Sequence, residues 1–298
     1  MDQAPEKKTL SLRERLAEEQ ALPLSLPEIP CSLLAQLPCC RGRGYRVEAR
    51  GPHAYAELCE CVKHCKSCMG KGQRLVNGTV RTCRSPGPRR VVNLFNQAKI
   101  PARYAGAHLG VFRNMTGNCL IVLQDVRQWL RHFTTTSEKR GLILTGPVGV
   151  GKTYMITAIA KALTEKNVSV RFVDFFQLIS QIKGAYAESK SEQAILKPLL
   201  AVDVLIIDEL GKGRNTDFEA TVLDQLIMAR YNENKVIIAS TNLSVKPGAA
   251  NESEDGSSFN YTGSLEHRVG KRIFSRLLET TTFIEMTGDD FRKQALKS

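Results

Sequence analysis

The segment Leu142-Ile143-Leu144-Thr145-Gly146-Pro147-Val148-Gly149-Val150-Gly151-Lys152-Thr153 joins a short apolar run to a glycine-rich octet. A helix-like segment, Ile156 to Lys166, follows directly. Strand, glycine loop and helix in that order are the context a Walker A loop needs. Gly146, Gly149 and Gly151 let backbone N–H groups wrap a phosphate without Cβ clashes, and the helix N-terminus adds partial positive charge. Lys152 is spaced to reach the β- and γ-phosphates, and the Thr153 hydroxyl to ligate Mg²⁺. The expected ligand is a nucleoside triphosphate with its magnesium ion.

Downstream, strands alternate with helices. Apolar runs at 142–144, 169–173, 204–207, 236–239 and 281–286 predict five strands. Helical periodicity covers 153–166, 175–187, 218–232 and 265–278. This alternation predicts an α/β, doubly wound, parallel five-stranded sheet. Residues 249–263, rich in Asn, Glu, Ser and Gly, read as a surface insertion.

The second strand-borne site is Val204-Leu-Ile-Ile-Asp208-Glu209. At the carboxyl edge of the sheet Asp208 can hold the Mg²⁺ shell, and Glu209 can polarise the water that attacks the γ-phosphate. Asn242, ending Val236-Ile-Ile-Ala-Ser-Thr-Asn, can orient the same water, or simply cap a turn. Together these residues favour ATP hydrolysis over a nucleotide-regulated switch. Arg268, Arg272 and Arg276 recur every four residues and are expected on one helix face. One of them can serve as a finger on transferring phosphate, acting on a neighbouring subunit.

The chain carries a formal net charge of +12. Residues 41–90 hold 12 basic and 3 acidic side chains, a block suited to nucleic acid or another acidic partner. Eight of the nine cysteines precede residue 84. In a reducing compartment such crowding reads as metal ligation. Cys65-Lys-Ser-Cys68-Met-Gly-Lys-Gly72 is a C-x-x-C-x-G-x-G knuckle, and Cys39-Cys40-Arg-Gly-Arg-Gly44 is an incomplete copy of it. Asn77-Gly78 predicts a hairpin between 73–76 and 79–82 that brings Cys83 back to the knuckle. The expected zinc set is Cys61, Cys65, Cys68 and Cys83, with Cys59 able to replace Cys61. Cys31 and Cys119 are expected to be structural.

Residues 6–21 read as a short charged helix and 22–30 as a proline-punctuated linker. The expected divisions are an N-terminal helix and linker at 1–30, a cysteine-rich basic region at 31–90 and an ATPase domain at 91–298. No apolar run is long enough to span a membrane, and the charged first thirty residues exclude a secretory core. The expected compartment is the cytoplasm.

With these residues assembled, 90–298 resembles the AAA+ helicase-loader family, DnaC and DnaI, and the related IstB transposition ATPases. The matching stretches are Phe95-Asn-Gln-Ala-Lys-Ile-Pro-Ala-Arg-Tyr104, the Gly146–Thr153 loop, Asp208-Glu-Leu-Gly-Lys-Gly-Arg214, Ser240-Thr-Asn242 and Arg272-Ile-Phe-Ser-Arg276. The cysteine region resembles the knuckles of DnaJ-type zinc domains. The resemblance implies an AAA+ fold without a full C-terminal lid, preceded by a small zinc-ribbon-like region. It also implies an ATP-dependent homo-oligomer joined through its ATP sites, a DnaB-like replicative helicase as partner, and single-stranded DNA as ligand. By the same resemblance Asn242 becomes sensor 1 and Arg276 the trans-acting finger, with Arg272 as its rival. Lys212 and Arg214 are candidates for DNA contact or for a solvated loop. The other expected outcomes are a transposition accessory ATPase and an adaptor that binds ATP without turning it over.

Overall fold

The computed structural model describes residues 40, 43–59, 73–82, 88–114, 117–133, 139–213, 216–245 and 264–294. Five strands, β5 (Gly141–Thr145), β6 (Val170–Asp174), β7 (Val204–Asp208), β8 (Val236–Ser240) and β9 (Thr281–Glu285), form one parallel sheet. Their order across the sheet is β6-β7-β8-β5-β9. The three inner strands, β5, β7 and β8, are buried at every position, which is why they read as continuous apolar runs. The order reverses at β5, flanked by β8 on one side and β9 on the other, so the loop leaving β5 opens at a topological switch point.

Two apolar layers cover the sheet. On one face α1 (Pro88–Ala98), α2 (Cys119–Phe133) and α3 (Lys152–Glu165) pack around Phe95, Phe112, Leu130, Ile156 and Ile159. On the other, α4 (Phe175–Ala187), α5 (Gln193–Ala201), α6 (Asp217–Asn232), α7 (Leu265–Val269) and α8 (Lys271–Thr280) pack around Leu205, Ile207, Leu226 and Leu277. The observed strands match the five expected ones within a residue at each end. Trp129 is half-buried against the first layer, and its indole N–H donates to Arg140 O at 2.8 Å. Cys119 is fully buried, as expected of a structural cysteine.

Three features depart from the sequence reading. The helix expected over 265–278 is broken at Gly270, whose φ of 86° stops α7 before α8 restarts. The expected common face of Arg268, Arg272 and Arg276 is thereby corrected, because Arg268 lies on a separate helix. Secondly, α5 has no counterpart in the sequence reading, since Pro198 and the polar run before it masked the periodicity of Leu196 and Leu199. Glu192 precedes it without a side-chain capping bond, and Arg230 ties its end to the sheet through Leu199 O and Val202 O.

The third feature is a hairpin of β1 (Tyr45–Arg50) and β2 (His53–Leu58) within the cysteine-rich region. Ala54 and Ala56 are buried, and Tyr45 reaches the same core as Phe95 and Ile159. Asn96 on α1 pairs with the Ala56 amide and carbonyl at 2.7 and 3.0 Å, and the Tyr45 hydroxyl bonds the Glu165 carboxylate at the end of α3. The expected second hairpin is present as β3 (Gln73–Val76) and β4 (Thr79–Thr82), with Asn77 and Gly78 both at positive φ. Both turn residues adopt the left-handed conformation that a two-residue hairpin turn of this kind requires.

Arg230 holds the sheet together from below. It is fully buried and donates to the carbonyls of Leu199, Val202, Asp203 and Val236 at 2.7–3.1 Å. Burial lowers its pKa to about 10, against the pull of Glu233 and Asp203, and that value still leaves it charged across the physiological range.

Candidate functional site

The loop after β5 is built for an anion. Gly146, at φ 135°, passes so close to Met286 O that a Cβ there would lie 2.0 Å from the oxygen. Gly151 at φ 95° caps α3, which begins with Lys152 itself. Lys152 is 7 % exposed, and its ammonium group donates to the loop carbonyls of Gly146 and Pro147 at 2.7 and 2.5 Å. Burial lowers its pKa to about 8, against the pull of Asp208 and Glu209. A phosphate in the loop offers this desolvated ammonium a stronger partner than two carbonyls.

Across 55 residues of sequence, the Thr153 hydroxyl donates to Asp208 Oδ1 at 3.0 Å. Ser240 donates to the same oxygen from the end of β8. Asp208 is buried, and desolvation raises its pKa while the two hydroxyls hold it down. A hydroxyl and a carboxylate set side by side behind a phosphate loop fit a hard divalent cation such as Mg²⁺. The carboxylate oxygen now bound to the two hydroxyls is the donor such an ion would take.

Glu209 follows Asp208 in the left-handed conformation, at φ 56°. Its backbone N–H donates to the Ser240 hydroxyl at 3.2 Å, and Leu210 N–H donates to Ser240 O at 2.7 Å. The turn aims the Glu209 carboxylate along the sheet edge, where Lys212 forms an ion pair with it. Arg268 braces the same turn by donating to Gly211 O and Gly213 O at 3.2 and 2.7 Å. This is what the separate helix α7 contributes.

Lys152, Thr153, Asp208, Glu209, Ser240 and Asn242 all line one cleft of about 750 Å³. Arg272 and Arg276 do not. Arg276 stacks over Tyr231 at 4.4 Å and pairs with Glu279 at 3.0 Å, while Arg272 lies 3.9 Å from Asp224 with 71 % of its side chain exposed. Of the expected zinc ligands only Cys59 is among the described residues, where it is buried and its N–H donates to Gly44 O. Cys61, Cys65, Cys68 and Cys83 lie outside them, as do Arg214, Cys31 and the N-terminal helix. Among the described residues no group of three or more candidate ligands is gathered.

The sequence reading assigned no site role to Arg103, Tyr104, Asp290 or Arg292, yet Arg103, Tyr104 and Arg292 line the cleft. Tyr104 lies near Thr153 and Asp208; its phenol pKa is raised by burial and by the Asp208 charge. Lys161 fixes that neighbourhood, donating to Ala105 O at 2.7 Å. Arg103 and Tyr104 belong to the stretch Ile100-Pro-Ala-Arg-Tyr104 that carries the family resemblance, and no local pattern in it marks a cleft lining.

Sheet order, loop and paired strand ends together define a P-loop nucleotide-binding α/β protein. Residues 82–298 match the family described as IstB-like ATP binding protein, and the chain belongs to that family. It is 26 % identical over 174 residues to the replicative helicase loader DnaI of Bacillus subtilis, covering 58 % of this chain and 54 % of that one. It is 30 % identical over 155 residues to a putative ATP-binding protein in an insertion sequence of Mycobacterium tuberculosis, covering 51 % and 55 %. The chain thus spans about half the length of these relatives. A crystal structure of the DnaC helicase loader superposes with a TM-score of 0.51 at 27 % identity, covering 62 % of this chain and 99 % of that one.

Proposed function

We propose that this chain is a Mg²⁺-dependent ATPase acting in DNA replication as a loader of a DnaB-like replicative helicase. The observation that carries hydrolysis is the convergence of Thr153, Asp208, Glu209 and Asn242 on one cleft with Lys152. Lys152 binds the phosphates, Thr153 and Asp208 hold the metal, and Glu209 with Asn242 orients the attacking water. Lys212 shields Glu209 in this state; the glutamate becomes available when that pair opens.

Arg276 lies outside its own cleft, which supports a finger supplied to the neighbouring subunit of a homo-oligomer, with Arg272 as the alternative. The loader role is supported by the similarity to the replicative helicase loaders DnaI and DnaC. Single-stranded DNA as ligand is supported by the basic block at 41–90 and by Lys99, Arg103 and Arg171, which line the same cleft. Zinc in the cysteine region is proposed from the ligand spacing alone; metal analysis of the full chain is expected to find about one zinc per chain. The cytoplasm is the proposed compartment.

The relatives encoded in insertion sequences favour a second reading, a transposition accessory ATPase acting on duplex DNA. One experiment separates the two. Affinity capture by the full chain with ATP and Mg²⁺ is expected to retain the replicative helicase of its own host. No capture, together with ATP-dependent retention of duplex DNA, would replace the first reading with the second.

A further inference from the structure

The two hairpins of the cysteine-rich region are copies of one module. Cys40-Arg-Gly-Arg-Gly44 runs into the six-residue strands β1 and β2, joined at Gly51-Pro52, and Cys59 follows at once. Cys68-Met-Gly-Lys-Gly72 runs into the four-residue strands β3 and β4, joined at Asn77-Gly78, and Cys83 follows at once. Both copies read cysteine, two alternating glycines, strand, two-residue turn, strand, cysteine. They differ in length only by two residues in each strand. The knuckle that is incomplete by spacing, with Leu37 where the second copy has Cys65, thus matches that copy from Cys40 onward.

One glycine ties Cys40 to Cys59. Gly44, in the left-handed conformation at φ 76°, turns its N–H onto Cys40 Sγ at 3.3 Å. Its carbonyl accepts from Cys59 N–H at 2.9 Å, so both cysteines sit at the base of the hairpin, next to the Tyr45–Leu58 pair. An amide aimed at sulfur favours the thiolate, which is the form that binds a metal. Cys40 and Cys59 are 6 % and 1 % exposed, yet neither packs into the two apolar layers, one of which takes in Cys119. Where core packing does not account for a buried cysteine, its chemistry does. Thiolates presented by a knuckle amide fit the soft, tetrahedral donor set of Zn²⁺.

We propose that Cys40 and Cys59 are two of the four thiolate ligands of the zinc ion in the cysteine-rich region, the other two coming from cysteines that follow Cys59. This rests on the reading of that region as zinc-binding, and it brings in Cys40, which ligand spacing alone leaves out. The hairpin the two cysteines close is docked on the ATPase domain, through Asn96 to Ala56 and through Tyr45 to Glu165. Its turn residues Pro52 and His53 line the nucleotide cleft. The ion therefore fixes the base of an element whose tip walls the ATP site.

Elemental analysis of the full chain, purified with zinc present, tests this. The wild-type chain is expected to hold about one zinc, and Cys40→Ser and Cys59→Ser each to lose most of it. Any cobalt these variants still bind is expected to show about a quarter less thiolate-to-cobalt absorption, one ligand in four. A second measurement needs no variant. As a chelator withdraws zinc from the wild-type chain, alkylation of Cys40 and Cys59, read by mass spectrometry, is expected to rise in step with the zinc released, while Cys119 stays unlabelled. Full zinc content in Cys40→Ser or in Cys59→Ser would overturn the proposal. So would zinc release that leaves Cys40 and Cys59 unlabelled. A wild-type chain without zinc would remove the zinc reading itself, an outcome distinct from zinc retained by the variants.

Discussion

Thr153 Oγ1 and Asp208 Oδ1 lie 3.0 Å apart, bonded directly although Thr153 lies in the first turn of helix α3 and Asp208 ends strand β7. This contact joins the two halves of the nucleotide site. Mg²⁺ would exchange that hydrogen bond for two ligand bonds. Thr153→Ala is expected to keep the fold but to need about tenfold more Mg²⁺ for half-maximal ATP binding, because one metal ligand is gone. A Mg²⁺ titration of ATP-analogue fluorescence measures this, and an unshifted midpoint would remove Thr153 from the metal shell.

Lys152 gives a pH signature. Burial lowers its pKa to about 8, so above that pH the group is mainly neutral in the nucleotide-free protein. Phosphate binding restores the ammonium, so ATP binding at pH 8.5 should take up a proton, and binding at pH 6.5 should take up almost none through this group. Calorimetry in buffers of different ionisation enthalpy reads the uptake directly. Equal uptake at both pH values would contradict the assignment.

Glu209 and Arg276 form the pair that separates a shared site from a self-contained one. Glu209→Gln should retain ATP binding and lose hydrolysis by a factor of about 10² or more. Arg276→Ala should bind ATP as well as wild type and lose the hydrolysis that assembly stimulates. Mixing the two variants should restore part of the activity, since some interfaces then combine an intact Glu209 with an intact Arg276. Absence of rescue, with both variants mixed in one oligomer, would argue against a site shared between subunits.

Arg230 is a stability element remote from the chemistry. Arg230→Ala would leave the carbonyls of Leu199, Val202, Asp203 and Val236 without this donor, in a place water does not reach easily. The expected loss is about 3 kcal/mol or more, the scale of leaving several buried carbonyls without a charged donor. Urea unfolding would show it as a lower midpoint with an unchanged slope.

The central sheet was legible because its signals are local. The inner strands are buried at every position, so their apolar runs were continuous, and the Walker A glycines mark the one turn between β5 and α3. Asn77-Gly78 announced its hairpin for the same reason: the required dihedrals belong to the turn residues themselves. The helix break at Gly270 was not legible, because both flanking segments keep helical periodicity and an isolated glycine is tolerated within a helix. Helix α5 was hidden by Pro198, whose disfavour in a helix interior is a local rule that packing of Leu196 and Leu199 overrides.

By itself the sequence determined the phosphate loop, the acidic strand end and the class of sheet that carries them, since glycine conformation, strand burial and residue spacing are encoded within a few neighbouring positions. Only the tertiary structure decided which residues beyond those motifs share the cleft. Tyr104 precedes the loop by more than forty residues and Arg292 follows it by about 140, and neither carries a local pattern that points to a phosphate. Their placement follows from the order of strands in the sheet. That order sets β5 between β8 and β9, and so brings the segment after β9 back onto Gly149.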